Sequence, residues 1–304
     1  MTWRPYYQGN GERYQGDLPV PPPWRFASTK QSARTFRPPD GLAEAVNAAL
    51  CLRRPLLLTG APGTGKSTVA TSVAYELDLG DVLHWHVTSR STLTEALYRY
   101  DALGRLDATR HDEPDDIGRF LQLGPLGTAL MEQDRPRMLL IDEIDKSDID
   151  LPSDLLNVIE SGEFEIPELT RHAQEKVQVR LWDGNTTGTV HRGRVKCTKF
   201  PFIVMTNNGE RSFPPPFLRR CIRFEMPAPD ADSLADIVRA HLGDQLTQQA
   251  NDLLTEFEHR IGRNESLATD QLLNALHLVI REAASNDEER ARLVKLVLRD
   301  LSSA

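Results

Sequence analysis

The chain has 304 residues, 39% hydrophobic and 26% charged, the balance of a globular protein with room for two domains, one of them a large α/β domain. No apolar run is long enough to cross a bilayer and Met1-Thr2-Trp3-Arg4-Pro5 has no apolar signal core, so a cytoplasmic location with no membrane partner is expected. A net charge of −8 argues against broad nucleic-acid binding, and three cysteines, Cys51, Cys197 and Cys221, argue against a disulfide framework and are expected to be buried or inert.

Residues 1–39 set Trp3, Tyr6, Tyr7, Tyr14, Trp24 and Phe26 among glycines and prolines, with Pro21-Pro22-Pro23 consecutive. Such a stretch should carry no helix, and its aromatics predict an extended arm across a surface of this domain or of a neighbouring subunit. Asp40 is placed to cap a helix running to about Leu52, with Leu42, Val46, Ala49 and Leu50 on one side. Pro55-Leu56-Leu57-Leu58-Thr59 then reads as a fully buried parallel strand.

Directly after it, Gly60-Ala61-Pro62-Gly63-Thr64-Gly65-Lys66-Ser67 matches the spacing of a phosphate-cradling loop, and Thr68 follows it into a helix marked by Val69, Val73, Ala74 and Leu77. A strand that aims a glycine-rich loop at a helix N-terminus presents unpaired N–H groups and the positive end of the helix dipole to a polyphosphate. Gly63 and Gly65 let the backbone curl close, Lys66 is suited to the terminal phosphates, and the Ser67 hydroxyl to magnesium.

Gly80 marks a stop, and Val82–Val87 reads as a second strand. His84 and His86 share one face of it, as metal ligands or as hydrogen-bonded strand residues. The stretch from Thr92 to about Glu132 is expected to be helical in pieces, broken by the acidic Asp112-Glu113-Pro114-Asp115-Asp116. Met138-Leu139-Leu140-Ile141 is an apolar strand ending in Asp142 and Glu143, at the carboxyl edge where open parallel sheets bind ligands. Asp142 is placed to hold magnesium and Glu143 to orient and polarise a water.

Leu155, Leu156 and Ile159 mark a helix ended by Gly162. From Phe164 to about Lys199 a β-hairpin insertion is expected, Val177–Trp182 leading to a turn at Asp183-Gly184-Asn185 and Val190–Cys197 returning. Arg192, Arg194, Lys196 and Lys199 on it form a basic cluster, read as a solvated face. Phe202–Thr206 is a buried strand followed by Asn207 and Asn208, where an amide can hold a water beside Glu143. Past Pro227-Ala228-Pro229 the pattern is helical, with stripes at Leu234, Ile237 and Val238, at Leu253, Leu254 and Phe257, at Leu272, Leu273, Leu276 and Ile280, and at Leu293, Val294, Val297 and Leu298.

Four segments in this order, Gly60–Ser67, Leu139–Glu143, Val204–Asn208 and Pro216–Cys221, resemble those of AAA+ ATPases. Gly124-Pro125-Leu126 and the run from Asp142 to Glu168 are similar to the MoxR-like branch, over roughly residues 36–300. The resemblance implies a P-loop NTPase: a parallel αβα sandwich with a β-hairpin insertion (40–227), a small all-α lid (228–304) and the N-terminal arm (1–39). ATP and magnesium are the implied cofactors. Gly60 to Thr68 are the implied nucleotide-binding residues, with Lys66 and Glu143 catalytic and Ser67 and Asp142 toward the metal. Asn208 is the implied polar sensor, Asn207 the next choice. Arg220, or else Arg219, is the implied finger toward a neighbouring subunit in a homo-oligomeric ring, most often of six, unless both only pair with local carboxylates. The expected activity is a chaperone-like ATPase on a protein client, with a von Willebrand A-domain partner suggested by the arm. The alternatives are a slow nucleotide-gated switch or, third, a nucleic-acid motor subunit. One departure is that Ser266–Gln271, where related lids carry an arginine, has none.

Overall fold

The computed structural model describes residues 6–7, 9–25, 29–111, 116–242, 253–255, 257, 259, 269–281, 292 and 294–298. The chain divides into two compact units: Pro38–Gly60 with Val69–Met226, and Met1–Arg37 with Ala61–Thr68 and Pro227–Ala304.

The first unit is built on five parallel strands, β1 (Leu56–Thr59), β2 (Leu83–His86), β5 (Met138–Asp142), β10 (Phe202–Asn207) and β11 (Ile222–Glu225), in the order β11-β1-β10-β5-β2. Leu56–Leu58, Met138–Ile141 and Phe202–Met205 are buried along their whole length because these inner strands are covered on both faces, which explains their unbroken apolar runs. The register pairs Thr59 with Asn207, Met205 with Ile141 and His86 with Asp142, so the polar strand ends gather along one carboxyl edge. Helices α2 (Leu42–Leu52), α3 (Lys66–Glu76) and α7 (Leu151–Ser161) carry apolar residues such as Val46, Val69 and Leu155 into the core. Asp40 does not cap α2. Gly41 occupies the N-cap at φ 81°, and the Leu42 N–H bonds the Pro39 carbonyl, so a backbone turn replaces the side-chain cap.

The expected hairpin is present as part of a second, six-stranded mixed sheet, and strands of that sheet also fall within Thr92–Glu132, which was expected to be helical in pieces. Between α4 (Leu93–Leu97) and α6 (Pro125–Ala129), which flank α5 (Ala102–Arg110), lie two three-residue strands, β3 (Tyr98–Tyr100) and β4 (Leu121–Leu123). They pair with each other, and β4 also pairs with β7 (Lys176–Arg180) of the hairpin β7–β8 (Thr187–His191). The return strand is split at Arg192 and Gly193, both at positive φ, and β9 (Arg194–Lys196) turns back to β6 (Glu163–Glu165), ahead of the short α8 (Pro167–Thr170). The basic cluster is a solvated face in part by ion pairing: Arg194 and Lys196 lie against Glu163, and Arg192 against Glu175. Of the acidic stretch, residues 112–115 lie outside the described residues; Asp116 caps a short 3-10 turn at Ile117–Phe120.

Two glycines in this unit are demanded by close approach. A Cβ at Gly127 would fall on the Leu97 carbonyl oxygen, and one at Gly124 on the Glu95 carbonyl oxygen. Gly127→Ala is therefore expected to destabilise the chain by about 2–3 kcal/mol through overpacking, read as a lowered denaturation midpoint. An unchanged midpoint would mean that α6 sits further from α4 than described. Of the three thiols, Cys51 is exposed, Cys197 half-buried and Cys221 buried, and burial pushes the Cys221 thiol up to about 12.

In the second unit, Leu234 and Val238 of α10 (Ala231–Leu242), Leu272, Leu273 and Leu276 of α11 (Thr269–Arg281), and Leu253, Phe257, Val294 and Leu298 share one apolar core. The Ile280 side chain and Leu293 lie outside the described residues. Trp24 packs on this core, its indole N–H donating to Asn274 Oδ1 at 3.2 Å and its ring meeting His277 and His241 edge-on at 5.4 and 6.0 Å. The arm thus lies on its own chain's helices at Trp24, while residues 9–21 are exposed. It also carries the helix it was not expected to: α1 (Thr29–Thr35), a run without proline or glycine beyond the triple proline, lies against α10.

Candidate functional site

Gly60 leaves β1 with its N–H bonded to the Asn207 carbonyl at 3.2 Å, which ties the root of the glycine-rich loop to the carboxyl edge of the sheet. Gly63 and Gly65 stand at φ 77° and 82°, conformations that side-chain-bearing residues rarely adopt, and α3 begins at Lys66. Lys66 is only 6% exposed, and its ammonium donates to the Ala61 carbonyl at 2.8 Å, an oxygen that also accepts from the Thr64 hydroxyl at 2.9 Å. The loop therefore curls around its own lysine, and Ser67 and Thr68 occupy the first turn of α3. Phe36 lies over Gly65, its ring edge 3.5 Å from where a Cβ would be.

At the carboxyl edge of the sheet, Asp142 and Glu143 are held by side chains from β10. The Thr206 hydroxyl donates to Asp142 Oδ1 at 2.6 Å and accepts the Glu143 N–H at 2.8 Å. Asn208 Nδ2 donates to Glu143 Oε1 at 3.3 Å, whereas Asn207 turns away to Thr59. Of the two asparagines, only Asn208 meets Glu143. Glu143 itself sits at φ 60°, an uncommon conformation for a residue with a side chain. Its Oε2 lies 2.8 Å from Lys146 Nζ and 3.5 Å from His86 Nε2. The same hydrogen bond to Glu143 raises the Lys146 pKa, because the carboxylate favours the charged amine.

Five members of this cluster were not singled out in the sequence as parts of it: Thr206, Asp145, Lys146 and the histidines His84 and His86. Asp145 is buried and accepts the N–H groups of Asn208 and Glu210 at 3.0 and 3.1 Å, locking the loop after β10 to the turn after β5. His84 and His86 are strand residues, as one of the two readings had it. His84 Nε2 lies 3.1 Å from Asp142 Oδ2, yet the described residues contain no group of three or more His, Cys, Asp or Glu able to hold a metal ion. The signal for Asp145 and Lys146 was the acid-rich turn itself, Asp142-Glu143-Ile144-Asp145-Lys146.

The oxygen donors fit magnesium, which favours carboxylate, hydroxyl and water ligands over nitrogen. Asp142 offers a carboxylate at a strand end and Ser67 a hydroxyl at a helix start. Arg220 follows α9 (Pro215–Leu218), and its Nε pairs with Glu160 Oε1 at 2.9 Å, the local partner foreseen as the alternative to a finger. The groups are 31% and 50% exposed, so the pair is weak and easily exchanged. Arg219 is exposed, and its carbonyl accepts from Arg54 at 2.8 Å.

Comparison with known proteins gives a match to the family model described as AAA domain (dynein-related subfamily) over residues 55–221. Among solved structures, a Thermotoga maritima RuvB Holliday junction branch migration motor is similar, at 16% identity and a TM-score of 0.41. The alignment covers 84% of this chain and 66% of that one, just under two thirds of its length. No curated protein matches the chain. Among the described residues no helix is long and apolar enough to cross a membrane.

Proposed function

The chain belongs to the AAA domain (dynein-related subfamily) family, and from that premise we propose that it binds ATP with magnesium and hydrolyses it between subunits of a ring. Residues 40–227 serve as the nucleotide-binding domain, residues 228–304 as the lid, and the work done is the chaperone-like remodelling of a protein client. Lys66 and the loop from Gly60 to Thr68 bind the phosphates, with backbone N–H groups such as those of Gly63 and Gly65 as donors. Ser67 and Asp142 hold the magnesium, which when bound offsets negative charge on the phosphate oxygens. Glu143 takes up the proton of the attacking water while Asn208 keeps that water aligned, and Arg220 of a neighbouring copy steadies the charge on the γ-phosphate.

The observation that carries this reading is the Asn208 amide on Glu143 Oε1, an orienting donor beside a base at the carboxyl edge of a parallel sheet. Phosphate release by the purified chain, measured with ATP in magnesium and again in EDTA, is the test. Release that depends on magnesium is expected; equal release in both, or none in either, contradicts the proposal.

A slow nucleotide-gated switch is favoured by one observation: Lys146 and His86 already occupy Glu143 Oε2. A base so engaged hydrolyses slowly until the contacts open. Rapid turnover stimulated by a client supports the remodeller, and slow turnover that no client changes supports the switch.

A further inference from the structure

We propose that Thr206 is a positioning residue for the magnesium-dependent part of nucleotide binding, acting through Asp142; this rests on the reading of Asp142 as the acid toward the metal. Thr206 is 1% exposed, at the level of β10 that faces Asp142, since Met205 pairs with Ile141 one step earlier. A hydroxyl has one proton, and at 2.6 Å that proton is directed at Asp142 Oδ1 in a charge-assisted bond. Its oxygen accepts the Glu143 N–H at 2.8 Å, so the same atom also fixes the backbone of the second acid.

Two consequences follow from this arrangement. Thr206 holds Asp142 through Oδ1, and Asp142 Oδ2 lies 3.1 Å from Nε2 of His84, an exposed side chain. The buried hydroxyl of Thr206 therefore restrains the rotamer of Asp142. Glu143 stands at φ 60°, a strained conformation for a residue with a side chain that persists only where the surroundings over-determine it. The Thr206 acceptor is one such restraint, and Asn208 and Lys146 on the carboxylate are others. Valine has the same shape as threonine and neither the proton nor the lone pairs, so it removes both restraints while leaving the packing of β10 nearly intact. Serine keeps the hydroxyl.

The test uses the full chain and ADP binding in magnesium and in EDTA, followed by calorimetry, with manganese binding by electron paramagnetic resonance as a second readout. For the unaltered chain, ADP is expected to bind at least about tenfold more tightly with magnesium, as a carboxylate and a hydroxyl toward the ion imply. Thr206→Val should lose most of that gain and weaken manganese binding by a similar factor, while its affinity in EDTA stays within about twofold. Thr206→Ser should recover the gain to within about threefold, because it keeps the charge-assisted hydrogen bond. A Thr206→Val chain that keeps the full gain overturns the proposal, as does one that loses affinity equally in EDTA, since that is a general structural role. Absence of any magnesium gain in the unaltered chain overturns the reading of Asp142 as well, and is told apart because it is seen before any substitution.

Discussion

Glu143→Gln is expected to lose at least about a hundredfold in ATP turnover while binding ATP within about threefold of the unaltered chain, because a positioned base contributes about 10² to 10⁴ in rate. The substitution is nearly isosteric, and the glutamine oxygen still accepts from Asn208, whose bond to Glu143 Oε1 is 3.3 Å. The ion pair with Lys146 is lost, but that lysine is exposed enough for water to take its place. Binding is assigned to a different part of the chain, the glycine-rich loop closed around Lys66, so the two measurements should separate. Turnover at the unmutated rate would remove Glu143 from the chemistry, and lost binding would assign it to structure instead.

Arg220→Ala is expected to reduce turnover by about 10³ or more if the guanidinium serves a neighbouring copy, the range seen when an arginine that stabilises γ-phosphate charge is supplied or removed. Within one chain the side chain of this arginine pairs with Glu160, in a half-exposed pair worth at most about 1 kcal/mol. Stability should thus barely change, and a fall in rate without a fall in melting temperature points to chemistry. The decisive form of the experiment mixes Arg220→Ala with Lys66→Ala. Each is inactive alone, but a boundary with Lys66 from one chain and Arg220 from the other is whole, so partial activity returns on mixing. No return on mixing contradicts a role across subunits. The same pattern obtained with Arg219→Ala, and not with Arg220→Ala, would move the role one residue back.

The strands that place the acids were legible in the sequence because buried parallel strands are apolar without interruption, as in Leu56–Leu58, Leu139–Ile141 and Ile203–Met205. The loop was legible for a related reason: only glycine fits φ 77° and 82° easily, so Gly63 and Gly65 announce the curl. What could not be read is what depends on register and on short elements. β3 and β4 have three residues each, below the length at which alternation identifies a strand, and so the six-stranded sheet was reduced to a hairpin. The turn at Arg192-Gly193 was hidden because arginine at φ 50° carries no local signal. His84 and His86 were visible as a pair on one face, yet their meeting with Asp142 and Glu143 follows from β2 lying beside β5, a long-range pairing. The helix α1 was missed because the prolines before it dominated the composition of the whole arm.

A nucleotide clasped between copies of this chain is the central requirement of the proposed activity. Native mass spectrometry of the Glu143→Gln chain with ATP and magnesium measures this in one spectrum, since binding persists where turnover is blocked. The expected result is a closed oligomer that carries nucleotide in its subunits. A solitary chain without nucleotide under the same conditions would contradict it.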